Sequence, residues 1–144
     1  MYFWHTGILT RDIEKTIAFL SSPFGVSRDK WTVMDVEFPQ SDMLLGNGGK
    51  LRAAFGRVSG RVYELLQPMD GASYHARQLE ARGPGFHHDA YVCEYEQDEV
   101  VAALIASGGR IVWEFRHGDE RACYVESDGT VLEIINRCPF MPGE

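Results

Sequence analysis

The chain has 144 residues, 44% of them hydrophobic and 24% charged, and carries a formal net charge of −7. That length suits one compact domain of ordinary globular composition, and an acidic balance without any Lys/Arg block argues against a nucleic-acid partner. No apolar run is long enough to cross a bilayer, and the opening MYFWHTGILT lacks a basic region followed by an apolar stretch, so the cytoplasm is the expected location and no membrane partner is expected.

Residues 2–9 read as a strand, followed by an amphipathic helix over about 11–21. Ile13, Ile17 and Leu20 fall at helical spacing, Thr10 is the expected N-cap, and Ser22-Pro23-Phe24-Gly25 ends the helix. Three more strands are predicted at 31–38, 50–58 and 61–67. The first alternates as a half-exposed strand should, and Ser59-Gly60 is the expected hairpin turn between the last two. Gly46-Asn47-Gly48-Gly49 marks a further turn; it lacks the Lys-Ser/Thr pair of a phosphate-binding loop.

A linker with a short helix over about 73–81 leads to Gly83-Pro84-Gly85, and then the pattern restarts. A strand at 86–93 precedes a helix at 98–107 with Val100, Val101, Leu104 and Ile105 as its apolar stripe. Gly108-Gly109 stops that helix, strands follow at 110–115, 121–126 and 131–137, and Ser127-Asp128-Gly129 turns the last hairpin. The fold class is thus α+β: βαβββ, linker, βαβββ. The modules run from about 1–68 and 85–138, with the linker at about 69–84, in a single domain over 1–144.

The halves also repeat in their residues. Positions 62–67 read VYELLQ and 131–136 read VLEIIN; positions 3–9 read FWHTGIL and 86–92 read FHHDAYV. His5, Glu64, His88 and Glu133 therefore occupy equivalent places. By strict alternation, His5 shares a face with Phe3, Gly7 and Leu9, and His88 with Phe86, Ala90 and Val92. Glu64 lies with Val62 and Leu66, and Glu133 with Val131 and Ile135. All four polar side chains are thus expected among apolar neighbours. Buried carboxylates need a partner, and a divalent cation would satisfy two carboxylates and two imidazoles together. That donor set favours nickel, cobalt, zinc, iron or manganese over calcium.

The other candidates are weaker. His87 is expected to face away from the metal, packing or supporting a ligand, and Asp89 to form a surface or intermodule ion pair. His75 and His117 are expected to be exposed, with His117 able to overhang the cleft. Trp4, Trp31, Trp113 and Phe55 are expected to pack in the core before they line a cleft. Arg52, Arg57, Arg61, Arg110, Arg116 and Arg121 include candidate grips for an anionic ligand. Cys93, Cys123 and Cys138 lack zinc-like spacing and are expected to be free thiols.

At HTGILTRDIEKTIAFL, VYELLQP, GPGFHHDAYV and YVESDGTVLEII the chain resembles the vicinal oxygen chelate superfamily, and within it the methylmalonyl-CoA epimerases. The resemblance implies an eight-stranded open barrel, a glyoxalase-like fold, with a divalent metal ion held by His5, Glu64, His88 and Glu133. It implies proton transfer next to a carbonyl or thioester of a small-molecule substrate, by a metal-dependent epimerase, isomerase or lyase. Related proteins often dimerise, and a homodimer is the corresponding expectation. One departure matters. Epimerases of this kind carry a catalytic glutamate on the third strand, whereas KLRAAFG at 50–56 has no carboxylate. Asp35 or Glu37 could substitute; alternatively, by analogy with glyoxalase I, Glu133 or Glu64 is both ligand and base. The alternatives are a non-catalytic small-molecule (antibiotic-type) binding protein, and a non-haem iron dioxygenase using His5, His88 and Glu133. The fourth ligand, Glu64, disfavours the dioxygenase because it fills a position needed by oxygen and substrate.

Overall fold

A computed structural model describes residues 1–143. The strands are β1 (Tyr2–Leu9), β2 (Thr32–Phe38), β3 (Met43–Leu45), β4 (Gly49–Val58), β5 (Arg61–Pro68), β6 (Gly85–Val92), β7 (Arg110–His117), β8 (Glu120–Ser127) and β9 (Thr130–Ile135). The α-helices are α1 (Ile13–Ser21), α2 (Tyr74–Arg82) and α3 (Gln97–Ala106). All strands join one curled sheet in the order β2-β4-β5-β1-β6-β9-β8-β7-β3. The expected eight strands are present. The ninth, β3, pairs only with the edge of β7 and is too short to show a period in the sequence.

β1 and β6 run antiparallel at the centre and join the two modules. Each has a parallel partner from its own module, β5 beside β1 and β9 beside β6. This leaves a pseudo-two-fold axis between β1 and β6. Ile8, Ala54 and Leu65 on the convex side pack under Ile13 and Ile17 of α1, and Cys123, Val125 and Ile134 pack with Val101 of α3. The concave side holds the larger aromatic cluster. Both strand-connecting turns have the expected left-handed residues, Ser59-Gly60 at φ 51° and 80° and Asp128-Gly129 at φ 49° and 84°.

Asp12, not Thr10, caps α1: its side chain accepts from the Lys15 N–H. Thr10 instead accepts from the Asp12 N–H and shares a 2.7 Å hydrogen bond with the Thr16 hydroxyl, bracing the turn between strand and helix. No helix among the described residues is long and apolar enough to cross a membrane.

Candidate metal centre

Strict alternation fails at two matched places. In the β1–β6 ladder the register jumps between Phe3 and His5, which skips Trp4, and between Gly7 and Ile8, whose partners His88 and Phe86 skip His87. Each bulge lies immediately before a histidine of the expected metal set. A bulge inserts one residue and reverses the facing of those beyond it. Phe3 and Phe86, expected inward, are therefore 42% and 77% exposed, while Trp4 and His87 are buried beside His5 and His88.

The register then brings the four candidates together. Gly7 pairs with His88 on one side and Glu64 on the other, and Ala90 pairs with His5 and Glu133. His5 Nε2 lies 3.3 Å from Glu64 Oε1, 3.4 Å from Glu133 Oε1 and 3.2 Å from His88 Nε2. His88 Nε2 lies 3.5 Å from each of the same two carboxylate oxygens. One donor atom from each residue falls within 4.8 Å of all the others. Donors about 2.1 Å from a shared ion stand roughly 3.0–3.4 Å apart at right-angled to tetrahedral geometry. The spacing fits that requirement, and buried Glu133 Oε1 has no hydrogen-bond partner. The donor set can therefore hold a divalent ion.

Protonation obeys the same balance. Burial opposes charge on His5, but Glu64 and Glu133 outweigh it and raise its pKa to about 9. His88 is likewise raised against burial by Glu133 and Glu64. Burial pushes both carboxyls up, but the histidines overcome it and hold Glu64 and Glu133 below the usual carboxylate range. Two imidazolium protons or one divalent ion with neutral imidazoles would each neutralise the two carboxylates.

The rings are held in place unequally. His88 Nδ1 lies 2.8 Å from His87 Nδ1, and His87 Nε2 lies 3.1 Å from the Tyr74 hydroxyl. Burial and the neighbouring His88 charge push the His87 pKa down to about 2, so His87 is neutral. For His88 Nε2 to offer a lone pair, Nδ1–H must donate to His87, which then donates through Nε2–H to Tyr74. His87 thus faces the site, bonded to His88, and would orient that ring if it bound a metal. Trp4 is its counterpart and packs against His5 without bonding to it, the rings 4.3 Å apart, and His5 Nδ1 has no hydrogen-bond partner. His87→Phe is expected to lower metal affinity about 10–100-fold, as read by competition with a chelator.

The carboxylates open onto a cavity of about 610 Å³ between the modules. Trp4, Phe55 and Trp113 are buried in the core of the concave side, as expected, and line the cavity from there, while Trp31 stays under α1. The segment after β9 closes one side: Phe140 and Pro139 line the cavity, and the Trp4 indole N–H donates to the Phe140 carbonyl at 2.9 Å. His117 does reach the cavity mouth, exposed and 3.1 Å from Asp42.

Three other expectations are corrected. His75 is only 1% exposed, because α2 packs inward and places its Nε2 2.8 Å from the Tyr124 hydroxyl. Asp89 accepts a hydrogen bond from the Thr6 hydroxyl at 2.7 Å, which ties the modules together without an ion pair. None of the candidate arginines lines the cavity. Asp35 is exposed, paired with Arg52 at 3.0 Å and outside the cavity, whereas Glu37 stands at its mouth. Cys93, Cys123 and Cys138 are free.

The Glyoxalase/Bleomycin resistance protein/Dioxygenase superfamily model matches residues 4–125. The chain belongs to that superfamily. Among solved structures, this superfamily member is similar to a hypothetical protein from Bacillus halodurans at 18% identity, with 99% of this chain and 98% of that chain covered and a TM-score of 0.65. It is similar to methylmalonyl-CoA epimerase from Mycobacterium tuberculosis at 23% identity, with 95% and 88% covered and a TM-score of 0.63. A Streptomyces coelicolor methylmalonyl-CoA epimerase variant in complex with 2-nitronate-propionyl-CoA matches at 18% identity, with 99% of each chain covered and a TM-score of 0.61. At these identities the likeness establishes the fold. No curated protein sequence matches the chain.

Proposed function

We propose that this protein is a metal-dependent isomerase, epimerase or lyase that moves a proton on the carbon next to a carbonyl group. The observation that carries this reading is the convergence of His5, Glu64, His88 and Glu133 on the floor of a mostly apolar cavity. A divalent ion bound there supplies Lewis-acid stabilisation of the negative charge that develops on the carbonyl oxygen. The protein supplies the rest. Aromatic walls and the folded-over C-terminal segment restrict water, and the His87–Tyr74 pair sets the tautomer of His88.

Glu133 and Glu64 are the proton-transfer candidates. They are the cavity carboxylates at the metal cluster, and the β4 stretch at 50–56 contains none. We assign the base to Glu133, with Glu64 as the alternate carrier for the opposite face. Supporting the reaction class, similar folds include a methylmalonyl-CoA epimerase solved with methylmalonyl-CoA.

The test is solvent deuterium incorporation, followed by NMR, with methylmalonyl-CoA and with α-hydroxyacetophenone as probes. Exchange by the metal-loaded protein at the carbon beside the carbonyl is expected with at least one probe. Glu133→Gln keeps an oxygen donor but removes the base, so exchange should fall about 10²–10⁴-fold while bound metal persists. An unchanged exchange rate in that variant would remove Glu133 from the mechanism.

A further inference from the structure

The cavity wall carries information about the substrate that the metal cluster does not. Six aromatic rings line it: Trp4, Phe38, Phe55, Trp113, Phe115 and Phe140. They form two groups of three. Trp4 stacks on Phe55 at 5.8 Å, Phe140 meets Phe55 edge-on at 5.4 Å, and Phe38 meets both Trp113 and Phe115 edge-on at 5.1 Å. A cavity of about 610 Å³ is in the range that encloses a ring-sized organic ligand, and these walls offer it stacking surfaces.

The polar lining is one-sided. Besides Glu64 and Glu133 it consists of Glu37, Asp42, Glu120 and His117, with no Lys or Arg among the described residues. Glu37 lies near the end of β2, Asp42 just before β3, and His117 and Glu120 on either side of the β7–β8 turn, with His117 3.1 Å from Asp42. Several cations nearby in the fold have other partners. Arg52 pairs with Asp35, and Arg57 donates to the carbonyls of Gly60 and Pro142. Arg61 donates to Thr6, Arg121 to Glu114, and Arg137 pairs with Glu120 at 3.8 Å. Lys50 stands across from Glu37 in the β2–β4 ladder without lining the cavity. A coenzyme A thioester brings phosphates that would lie at this mouth. Phosphate recognition calls for forked guanidinium donors, and here the phosphates would meet carboxylates instead.

We propose that the substrate is a neutral, aromatic or similarly flat apolar carbonyl compound, and not a coenzyme A thioester. This rests on the metal-dependent proton-transfer reading and names its substrate class. The apolar ring lies against the aromatic walls, the carbonyl oxygen faces the His–Glu floor, and the acidic mouth repels anionic relatives.

Calorimetry on the metal-loaded full chain tests the proposal with two probes that share a benzoyl group: α-hydroxyacetophenone, which is neutral, and benzoyl-CoA, which carries the phosphates. The expected result is at least tenfold tighter binding of α-hydroxyacetophenone. In the Glu37→Lys/Glu120→Lys double variant, benzoyl-CoA should gain at least tenfold while α-hydroxyacetophenone changes less than twofold. Equal or tighter binding of benzoyl-CoA by the parent overturns the proposal, as does binding of neither probe. The metal-free protein separates this result from the reaction reading. If α-hydroxyacetophenone binds equally well without metal, the neutral-ligand assignment stands and the metal-centred reaction falls. If elemental analysis shows full metal loading but benzoyl-CoA wins, the metal centre stands and the substrate class falls.

Discussion

Gly7→Ala is expected to empty the metal centre although residue 7 is not itself a ligand. A Cβ added at Gly7 would lie 2.1 Å from His88 Cε1 and 2.5 Å from both ring nitrogens. The ring cannot yield cheaply. Tyr124 flanks it at 4.9 Å, His87 holds its Nδ1, and its Nε2 is committed to the cluster. A displacement of more than an ångström is needed, which removes one of the four proposed ligands. Metal affinity should therefore drop by at least the 10–100-fold seen on loss of ligand-orienting partners, and overpacking should cost a further ~1–3 kcal/mol of stability. Ala90, the symmetry-related position paired with His5, tolerates its methyl group, so the two halves differ here by one carbon. The double variant Gly7→Ala/His88→Ala distinguishes the cause. If the ring clash is responsible, the alanine at 7 adds little once the imidazole is gone, and the pair is strongly non-additive. Near-stoichiometric metal in Gly7→Ala, by elemental analysis, would show that the ring relocates without loss and would refute this account.

What could be read from the sequence follows from what leaves a periodic trace. Helices α1 and α3 announce themselves through Ile13/Ile17 and Val101/Leu104, and the two hairpins through Ser59-Gly60 and Asp128-Gly129. The repeat of HTG and HDA, and of YEL and LEI, identifies four residues whose side chains do meet. The bulges at Trp4 and His87 are the main loss. One inserted residue is invisible in an aromatic-rich strand such as YFWHTG, yet it reverses the facing of Phe3 and Phe86 and turns Trp4 and His87 inward. The contact between His87 and His88 could have been suspected from the doubled histidine alone, since adjacent strand residues meet only when alternation breaks. Burial of His75 depends on how α2 docks against Tyr124, and the tightness at Gly7 on a contact between modules. Neither leaves a local signature.

His75 also gives the protein a pH limit. Its imidazole sits between Phe38 and Trp113, bonded to the Tyr124 hydroxyl, and burial followed by the nearby His88 charge pushes its pKa down to about 4 from 6.5. The unfolded chain thus binds a proton between pH 6.5 and 4 that the folded chain refuses. Stability from this group is fully present above pH 6.5 and lost as pH falls toward 4, on the order of 3 kcal/mol in all. His87, pushed down to about 2, acts in the same direction and extends the loss to lower pH. His5 acts oppositely. With its pKa raised to about 9, it stabilises the metal-free fold below pH 6.5 and loses that contribution as pH rises through 9. Urea unfolding of the metal-free protein from pH 4.5 to 9.5 should therefore give a stability maximum near pH 6.5 with two descending limbs. His75→Leu should flatten the acid limb, whatever its absolute stability, and leave the alkaline one. Saturating divalent metal should remove the alkaline limb, because the ion replaces the His5 proton as the partner of Glu64 and Glu133. An acid limb that keeps its full slope in His75→Leu would show that other carboxyls, not this buried imidazole, govern acid unfolding.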